Sequence, residues 1–522
     1  PSGDRGSHAG NPSHHSEKYP CSEVLTLRRT SIILVSMGGA SGKEALPFVW
    51  RKRHMSTLLE KARQQEKRAL EKAKEGGVPR PAVHFTNPVG WMNDPNGFSD
   101  YKGEHHLFFQ YYPYETRWNS MHWGHAKSSD FLHWEYLPAA MAPDQDYDDF
   151  GVFSGSAIVK DGKQYLLYTG VKIIGGEEHQ TQCLAVGDGL NYEKAPENPV
   201  IPASLLPEGY DQRNFRDPKV WKDGNLYYVI VGCCAEENGG EAALFSSVDL
   251  RNWKFETILD KSYGKLGIMW ECPDFFTLEG QEVLSVSPQG LTREEFRFQN
   301  IYQSGYFILK DGKPEEKDFR EWDHGFDFYA PQTFQDGKGR RILIGWMGMP
   351  DADEEYVNPT AESEGWQHCL TVPREVTYKN GMLYQYPVKE LNGLRNQGVS
   401  ISVSHEAIPV NGPFDLELQI TGDGAKVSLG ENLFLEYQDG DIVLRLSEKA
   451  GAGRKVRKAH VPSGKLESLR LLVDTTAAEI YVNGGEIVFS TRYYPETQEQ
   501  VVKMEAKEIR GKIYKLKKCE MQ

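Results

Sequence analysis

The chain has 522 residues, 39% of them hydrophobic and 11% aromatic, and carries a formal net charge of -14. That length exceeds one ordinary domain and predicts two domains with a tail. The negative balance argues against nucleic acid or an anionic membrane as partner, and no run approaches the ~18 apolar residues of a membrane span.

Residues 1 to 54 are rich in Ser, Gly, His and Pro without a clear period, and read as a disordered or appended tail. The apolar run Ser31 to Val35 after Arg28 and Arg29 is too short, and starts too far inside the chain, to read as a signal peptide. Residues 55–79 read as one exposed helix: Thr57-x-x-Glu60 forms a capping box, a Leu, Ala, Lys, Glu and Arg run follows, and Gly76-Gly77 with Pro79 ends it. The seven cysteines lack zinc-type spacing, and no Asn-x-Ser/Thr acceptor is present. The cysteines predict a reducing compartment, or at least a fold that does not depend on disulfides, and the missing acceptor removes one sign of eukaryotic secretion.

Residues 80–391 are β-rich and carry an internal repeat. Gly103, Gly162, Gly224, Gly280 and Gly337 recur 56 to 62 residues apart. Each is followed by a strand-like run: His106 to Phe109, Tyr165 to Tyr168, Tyr227 to Ile230, Val283 to Val286 and Ile342 to Gly345. A second signature recurs as Ser129-Asp130-Phe131-Leu132-His133-Trp134 and Ser247-Val248-Asp249-Leu250-Arg251-Asn252-Trp253. Fixed-period strand clusters of this size predict propeller blades, and five of them close a ring. Beyond about residue 390 the pattern changes to period-two strands such as Phe414 to Ile420 and Leu469 to Val473, separated by turns such as Asn483-Gly484-Gly485. The fold class predicted is therefore all-β, a five-bladed propeller followed by a β-sandwich over 399–522, with a linker near Asn392 to Val399.

Seven to nine residues before the five turn glycines stand Asp94, Ser154, Asp217, Glu271 and Ala330. They therefore read as equivalent positions on successive innermost strands, converging on the channel. Three carry carboxyls, and clustered like charge is costly unless it performs chemistry. Paired carboxyls flanking a bond are what glycoside hydrolysis requires. Close neighbours raise the pKa of the acid member. Trp91, Trp118, Phe153, Tyr329 and Trp346 supply flat surfaces for sugar rings. His105, His106, His122 and His125 alternate along strands and read as structural; the chemistry needs no metal and no cofactor.

Trp91-Met92-Asn93-Asp94-Pro95-Asn96-Gly97, Arg216-Asp217-Pro218 and Glu271-Cys272-Pro273-Asp274 resemble the three signature motifs of glycoside hydrolase family 32, which contains invertases, sucrose-6-phosphate hydrolases and fructan hydrolases. The likeness extends through Phe108 to Tyr111, His122 to His125, Phe153 to Ser156, Gly325 to Gln332, Thr371 to Glu375 and Ile480 to Glu486, and covers about residues 80 to 515. It implies a retaining β-fructofuranosidase with Asp94 as nucleophile, Glu271 as acid/base and Asp217 as transition-state stabiliser. It also implies a fructose pocket lined by Trp91, Met92, Asn93, Gln110, Trp118, Phe153, Ser154, Arg216, Tyr329 and Trp346. Tyr112 stands where many members carry Asn. The implied partner is a small-molecule sugar, sucrose or sucrose-6-phosphate; a fructan exohydrolase and a silent sugar-binding protein are the alternatives. Retention places the Asp94 and Glu271 carboxyls roughly 5 Å apart. The sequence leaves the oligomeric state open.

Overall fold

The computed structural model describes residues 48–74, 80–235, 239–262, 264–309, 318–349, 358–402 and 405–519. The tail expected up to residue 54 falls outside them as far as residue 47. Helix α1 spans Phe48–Lys74 and so begins seven residues before Met55. No glycine or proline occurs between 48 and 74, so helical propensity carries the helix through the Arg51-Lys52-Arg53 run, and Thr57 lies inside it rather than at its cap. The expected Gly76-Gly77 stop lies outside the described residues.

Five antiparallel blades follow. Blade one holds β1 (Gly90–Tyr101), β2 (Glu104–Tyr112), β3 (His122–Ser128) and β4 (Glu135–Met141). Blade two holds β5 (Gly151–Lys160), β6 (Lys163–Ile174), β7 (Glu177–Gly187) and β8 (Tyr192–Lys194). Blade three holds β9 (Tyr210–Asp223), β10 (Leu226–Ala235), β11 (Gly239–Ser247) and β12 (Trp253–Lys261); blade four holds β13 (Met269–Leu278), β14 (Gln281–Gln289), β15 (Gly305–Ile308) and β16 (Arg320–Glu321). Blade five is built on β17 (Tyr329–Gln335) and β18 (Arg341–Met347). It is completed, after the short strands β19 (Trp366–Gln367) and β20 (Cys369–Leu370), by β21 (Arg374–Lys379) and β22 (Met382–Pro387). β19 pairs in parallel with β1 while β20 pairs with β18, so one short segment clasps the last blade to the first.

The repeat glycines turn the first strand of a blade into the second. At Lys102-Gly103, Asp161-Gly162 and Glu279-Gly280 both residues have positive φ, the type I′ turn that suits a two-residue hairpin. In blade five the left-handed glycine is Gly339, not Gly337, because a longer turn is closed by Gly339 N–H donating to the Asp336 carbonyl at 2.8 Å. The second signature is a turn after the third strand. Asp130 Oδ1 accepts the Leu132 and His133 amides, and Asp249 Oδ1 those of Arg251 and Asn252. Asp188 does the same for Leu190 and Asn191, a third copy with Tyr192 in place of Trp.

The innermost strands are sewn together by side chains rather than by a ladder. Gly155 N–H donates to Asn96 Oδ1, Ser156 Oγ to the Pro218 carbonyl, Thr333 N–H and Oγ1 to Asp274 Oδ2, and Gln332 Nε2 to the Gly155 carbonyl. Such bonds let five sheets meet edge to edge without leaving buried backbone groups unsatisfied.

The C-terminal domain is a sandwich whose two layers share two long strands, β25 (Phe414–Leu429) and β32 (Glu499–Leu516). The first half of β25 pairs with β29 (Ser468–Val473) and its second half with β26 (Leu433–Gln438), while β32 runs along both halves with a register break between Thr421 and Ala425. Bulged strands of this kind pass from one layer to the other. Leu416, Leu418, Ile420, Val427, Leu471, Ile480, Phe489 and Ile513 fill the space between. The expected linker is ordered instead. A 3-10 turn, Lys389–Leu394, leads directly into β23 (Arg395–Ile401), and Arg395 binds Asp415 at 2.8 Å and Glu417 at 2.5 Å. The domain faces the propeller through buried ions: His84 bridges Asp474 at 2.9 Å and Glu479 at 3.0 Å, and Arg374 bridges Asp323 at 3.2 Å and Glu479 at 2.5 Å. Gly485 rests on blade five so closely that a Cβ would fall 1.9 Å from the Gln385 carbonyl oxygen.

Candidate active site

Every innermost strand carries one extra residue relative to its partner at a shared level, and β1 and β9 each slip a second time elsewhere. The ladder slips between Met92 and Pro95, Phe153 and Gly155, Arg216 and Lys219, Glu271 and Asp274, and Tyr329 and Gln332. A bulge bends a strand and re-aims a side chain, and here five bulges form a ring. Asp217, Cys272 and Ala330 adopt positive φ within it, at 67°, 46° and 49°, a conformation unfavourable for residues other than glycine. The proline after each, like Pro95 after Asp94, needs no ladder donor where the pairing lapses.

This register corrects the equivalence expected from spacing. Cys272, not Glu271, lies level with Asp217 and Ala330. Glu271 is the last paired residue before its bulge, level with Arg216 and Tyr329. The one-residue step sends Glu271 to a different set of neighbours. Arg216 donates to Glu271 Oε1 from Nε and NH2, each at 2.8 Å, and Tyr329 donates its hydroxyl to Oε2 at 2.5 Å. The Ser287 carbonyl, 3.4 Å away, is a second acceptor for Tyr329.

Asp94 and Asp217 meet through Cys272. Its Sγ lies 3.7 Å from Asp94 Oδ2 and 3.6 Å from Asp217 Oδ2, and its N–H donates to the same Asp217 oxygen at 2.9 Å. Ser154 Oγ donates to Asp94 Oδ2 at 2.6 Å and Asn93 Nδ2 to Oδ1 at 3.1 Å, while Trp91 Nε1 holds Asn93 Oδ1 at 2.8 Å. Burial first, and then the Glu271 charge, push the Asp94 carboxyl up to about 6 against the pull of Ser154 and Asn93. Burial and the Glu271 charge raise Asp217 as well, with Arg216 opposing. The Cys272 thiol is pushed well above its ordinary value by burial and by the neighbouring carboxylates, so it stays protonated as a weak donor.

Around this ring the expected pocket residues divide. Phe153, Ser154, Asn93, Arg216 and Tyr329 sit at or beside the bulges. Trp118 is exposed and meets Phe153 edge-on at 5.7 Å, a rim position. Trp346 is buried 6.1 Å from Trp91, and its indole N–H has no acceptor among the described residues. Gln110 faces the first bulge from β2 and spends its amide on the Val152 carbonyl. Met92 is fully buried, in the same hydrophobic cluster as Trp91, Tyr329 and Trp346. Spacing alone missed Cys272, and it missed His368, whose ring meets both Trp91 and Trp346 and whose Nδ1 binds the Met92 carbonyl at 3.0 Å. Cys272 stood inside a quoted motif, but His368 gave no local signal, since it arrives from blade five.

A strand-built funnel ending in three carboxyls, a guanidinium and flat aromatic walls defines a glycoside hydrolase. The Glycosyl hydrolases family 32 N-terminal domain matches residues 84–387 and the Glycosyl hydrolases family 32 C terminal domain matches residues 442–519. The chain belongs to glycoside hydrolase family 32. It is 40% identical to the sucrose-6-phosphate hydrolase of Bacillus subtilis, over 80% of this chain and 89% of that protein. It is 36% identical to the raffinose invertase of Escherichia coli, over 84% of this chain and 94% of that one. Among solved structures it resembles a Bombyx mori β-fructofuranosidase mutant in complex with sucrose, with a TM-score of 0.78, 34% identity and coverage of 88% of this chain and 99% of the other.

Proposed function

We propose that the chain is a retaining β-fructofuranosidase that releases the terminal non-reducing β-D-fructofuranosyl residue of sucrose or sucrose-6-phosphate through a covalent fructosyl-enzyme. The observation that carries this reading is the division of labour among the carboxyls. Asp94 is held by Ser154, Asn93 and the Cys272 thiol and has no cation on it among the described residues, whereas Glu271 is clamped by Arg216 and Tyr329. Asp94 Oδ1 or Oδ2 attacks the anomeric carbon as the glycosidic bond breaks. Glu271 gives its proton to the departing oxygen. Arg216 occupies Oε1, so Oε2 is the atom that carries that proton, and Tyr329 turns its hydroxyl toward the Ser287 carbonyl while Oε2 is protonated. Water, deprotonated by Glu271, then attacks the anomeric carbon, frees Asp94 and releases fructose. Asp217 and Arg216 grip fructosyl hydroxyls, and the Asp217 carboxylate steadies the positive charge that develops on the ring.

The names of the B. subtilis and E. coli relatives and the sucrose-bound insect enzyme support the substrate class. No disulfide joins the six described cysteines, which supports a reducing compartment, the cytoplasm. Steady-state kinetics on sucrose, sucrose-6-phosphate, raffinose, inulin and levan rank the substrates. Glu271→Gln is expected to lose sucrose hydrolysis by a factor of about 10³ yet still cleave an activated aryl fructoside. Denaturing mass spectrometry of that variant, quenched during turnover, should find one fructosyl unit on the peptide bearing Asp94. Inversion at the anomeric carbon, followed by NMR, would overturn the mechanism, and near-normal sucrose hydrolysis by Glu271→Gln would overturn the assignment of the acid.

A further inference from the structure

We infer that Gln180, on β7 of blade two, is a positioning residue that aims the Arg216 guanidinium at Glu271. The inference rests on the reading of Glu271 as acid/base. Gln180 is buried, at 2% exposure, and its amide has only one workable orientation. Its Oε1 accepts the Phe215 backbone N–H at 2.9 Å and Arg216 NH1 at 3.3 Å, and its Nε2 donates to Glu178 Oε2 at 3.3 Å. A flipped amide would point N–H at N–H on one side and oxygen at carboxylate on the other. Asn214 repeats the arrangement. Its Oδ1 accepts from Arg216 NH1 at 2.9 Å and its Nδ2 donates to Asp211 Oδ2 at 3.1 Å.

The guanidinium is a rigid fork, so the direction of one edge is set by whatever holds the other. Here NH1 is pinned by two amide carbonyls and the opposite edge, Nε and NH2, falls on Glu271 Oε1. The chemistry of the pins matters as much as their position. A carboxylate touching NH1 would draw the cation away from Glu271 and share its charge. Glu178 and Asp211 are kept one hydrogen bond further back, behind neutral amides, and among the described residues Glu271 is the carboxylate that Arg216 hydrogen-bonds. The groups that face Glu271 are Arg216 and Asp217 from β9, Asp94 from β1 and Tyr329 from β17, with Cys272 beside it. Arg216 is the cation among them, so its aim sets how the Glu271 carboxyl is held.

Gln180→Leu and Gln180→Glu in the full chain test this. With its far edge loosened or pulled back, Arg216 no longer holds Glu271 squarely behind the departing oxygen. On sucrose kcat falls about tenfold with KM little changed, while an activated aryl fructoside, whose leaving group needs little protonation, is cleaved at nearly the parent rate. Gln180→Glu preserves side-chain size and serves if Gln180→Leu fails to fold. Parent-like kcat on sucrose in both variants overturns the inference, as do equal losses on both substrates accompanied by a lower melting temperature. Wild-type and Glu271→Gln enzyme run in the same assays separate the two levels of failure. If Glu271→Gln keeps hydrolysing sucrose, the acid assignment falls and this inference with it. If Glu271→Gln behaves as an enzyme without its acid and the Gln180 variants keep the parent kcat on sucrose, this inference falls alone.

Discussion

Burial and the charge of Glu271 both oppose an ionised Asp94, and Ser154 and Asn93 answer with two hydrogen bonds that do not fully compensate. The folded carboxyl, at about 6, therefore stands above the ordinary value near 3.9. Between those values the folded state binds more protons than the unfolded one, so stability falls as pH rises through the window and the whole cost is present above it. Asp94→Asn is expected to abolish turnover and to raise unfolding stability by about 1–3 kcal/mol near neutral pH, the gain vanishing below pH ~4. Urea unfolding at several pH values checks this, and a gain independent of pH would show that the carboxylate is not its source. In the proposed mechanism Asp94 attacks as the carboxylate, so the acid limb of kcat/KM is expected near pH 6. Removing the Ser154 donor weakens the ionised state; in Ser154→Ala the limb should move upward, by about half a unit to one unit, read from the pH profile of sucrose hydrolysis.

At the level of elements, the ring of bulges and the guarded outer edge are the decisive features. Turn glycines and strand runs were legible because a two-residue hairpin needs positive φ and a half-buried strand alternates. The bulges were not legible, because an extra residue shows only when a strand is set beside its partner. That is why spacing placed Glu271 level with Asp217 although the ladder places Cys272 there. The guarded edge is β4, where α1 supplies side chains in place of a fifth strand. Arg63 Nε donates to the Ala139 carbonyl at 3.0 Å and Glu66 Oε2 accepts the Ala139 N–H at 2.9 Å. Covering an edge in this way removes a template for chain-to-chain pairing. Burial raises the Glu66 carboxyl to about 8, with the Ala139 amide and Arg63 opposing. Its folded pKa is above its unfolded one, so ionisation weakens the docked helix as pH rises toward 8. Glu66→Gln keeps the acceptor without the charge. The protection factor of the Ala139 amide, its exchange rate corrected for base catalysis, should no longer decline toward pH 8 in that variant, and an unchanged decline would assign it elsewhere.

Across the whole molecule, the two domains are held by ions that neither could bury alone. Burial by itself would lower the His84 pKa, but hydrogen bonds and charges from Asp474 and Glu479 outweigh it and carry the imidazole to about 9. His84 thus contributes stability that is complete below its unfolded pKa near 6.5 and is lost as pH rises through about 9. Glu479 also binds Arg374 and Tyr481, and charges from Arg374 and His84 hold it down to about 2 against burial. Removing one member of a buried ionic cluster leaves the others unpaired, and Glu479→Ala is expected to cost roughly 3–5 kcal/mol. Denaturant unfolding followed by tryptophan fluorescence measures that loss. In His84→Asn the stability decline between pH 6.5 and 9 should flatten, because the group that titrates there is gone.

Chain-local information was enough for the all-β class, the count of five blades, the presence of a second β domain and the motifs that carry Asp94, Asp217 and Glu271, because turn chemistry, strand alternation and motif order are written along the chain. Tertiary structure alone decided that Glu271 shares its level with Arg216 and Tyr329, that Cys272 joins Asp94 to Asp217, and that Gln180 and His368 reach the site from other blades. Those relations depend on ladder register and on which blades adjoin around a closed ring. A one-residue bulge changes the direction of a side chain without altering anything that can be counted along the chain.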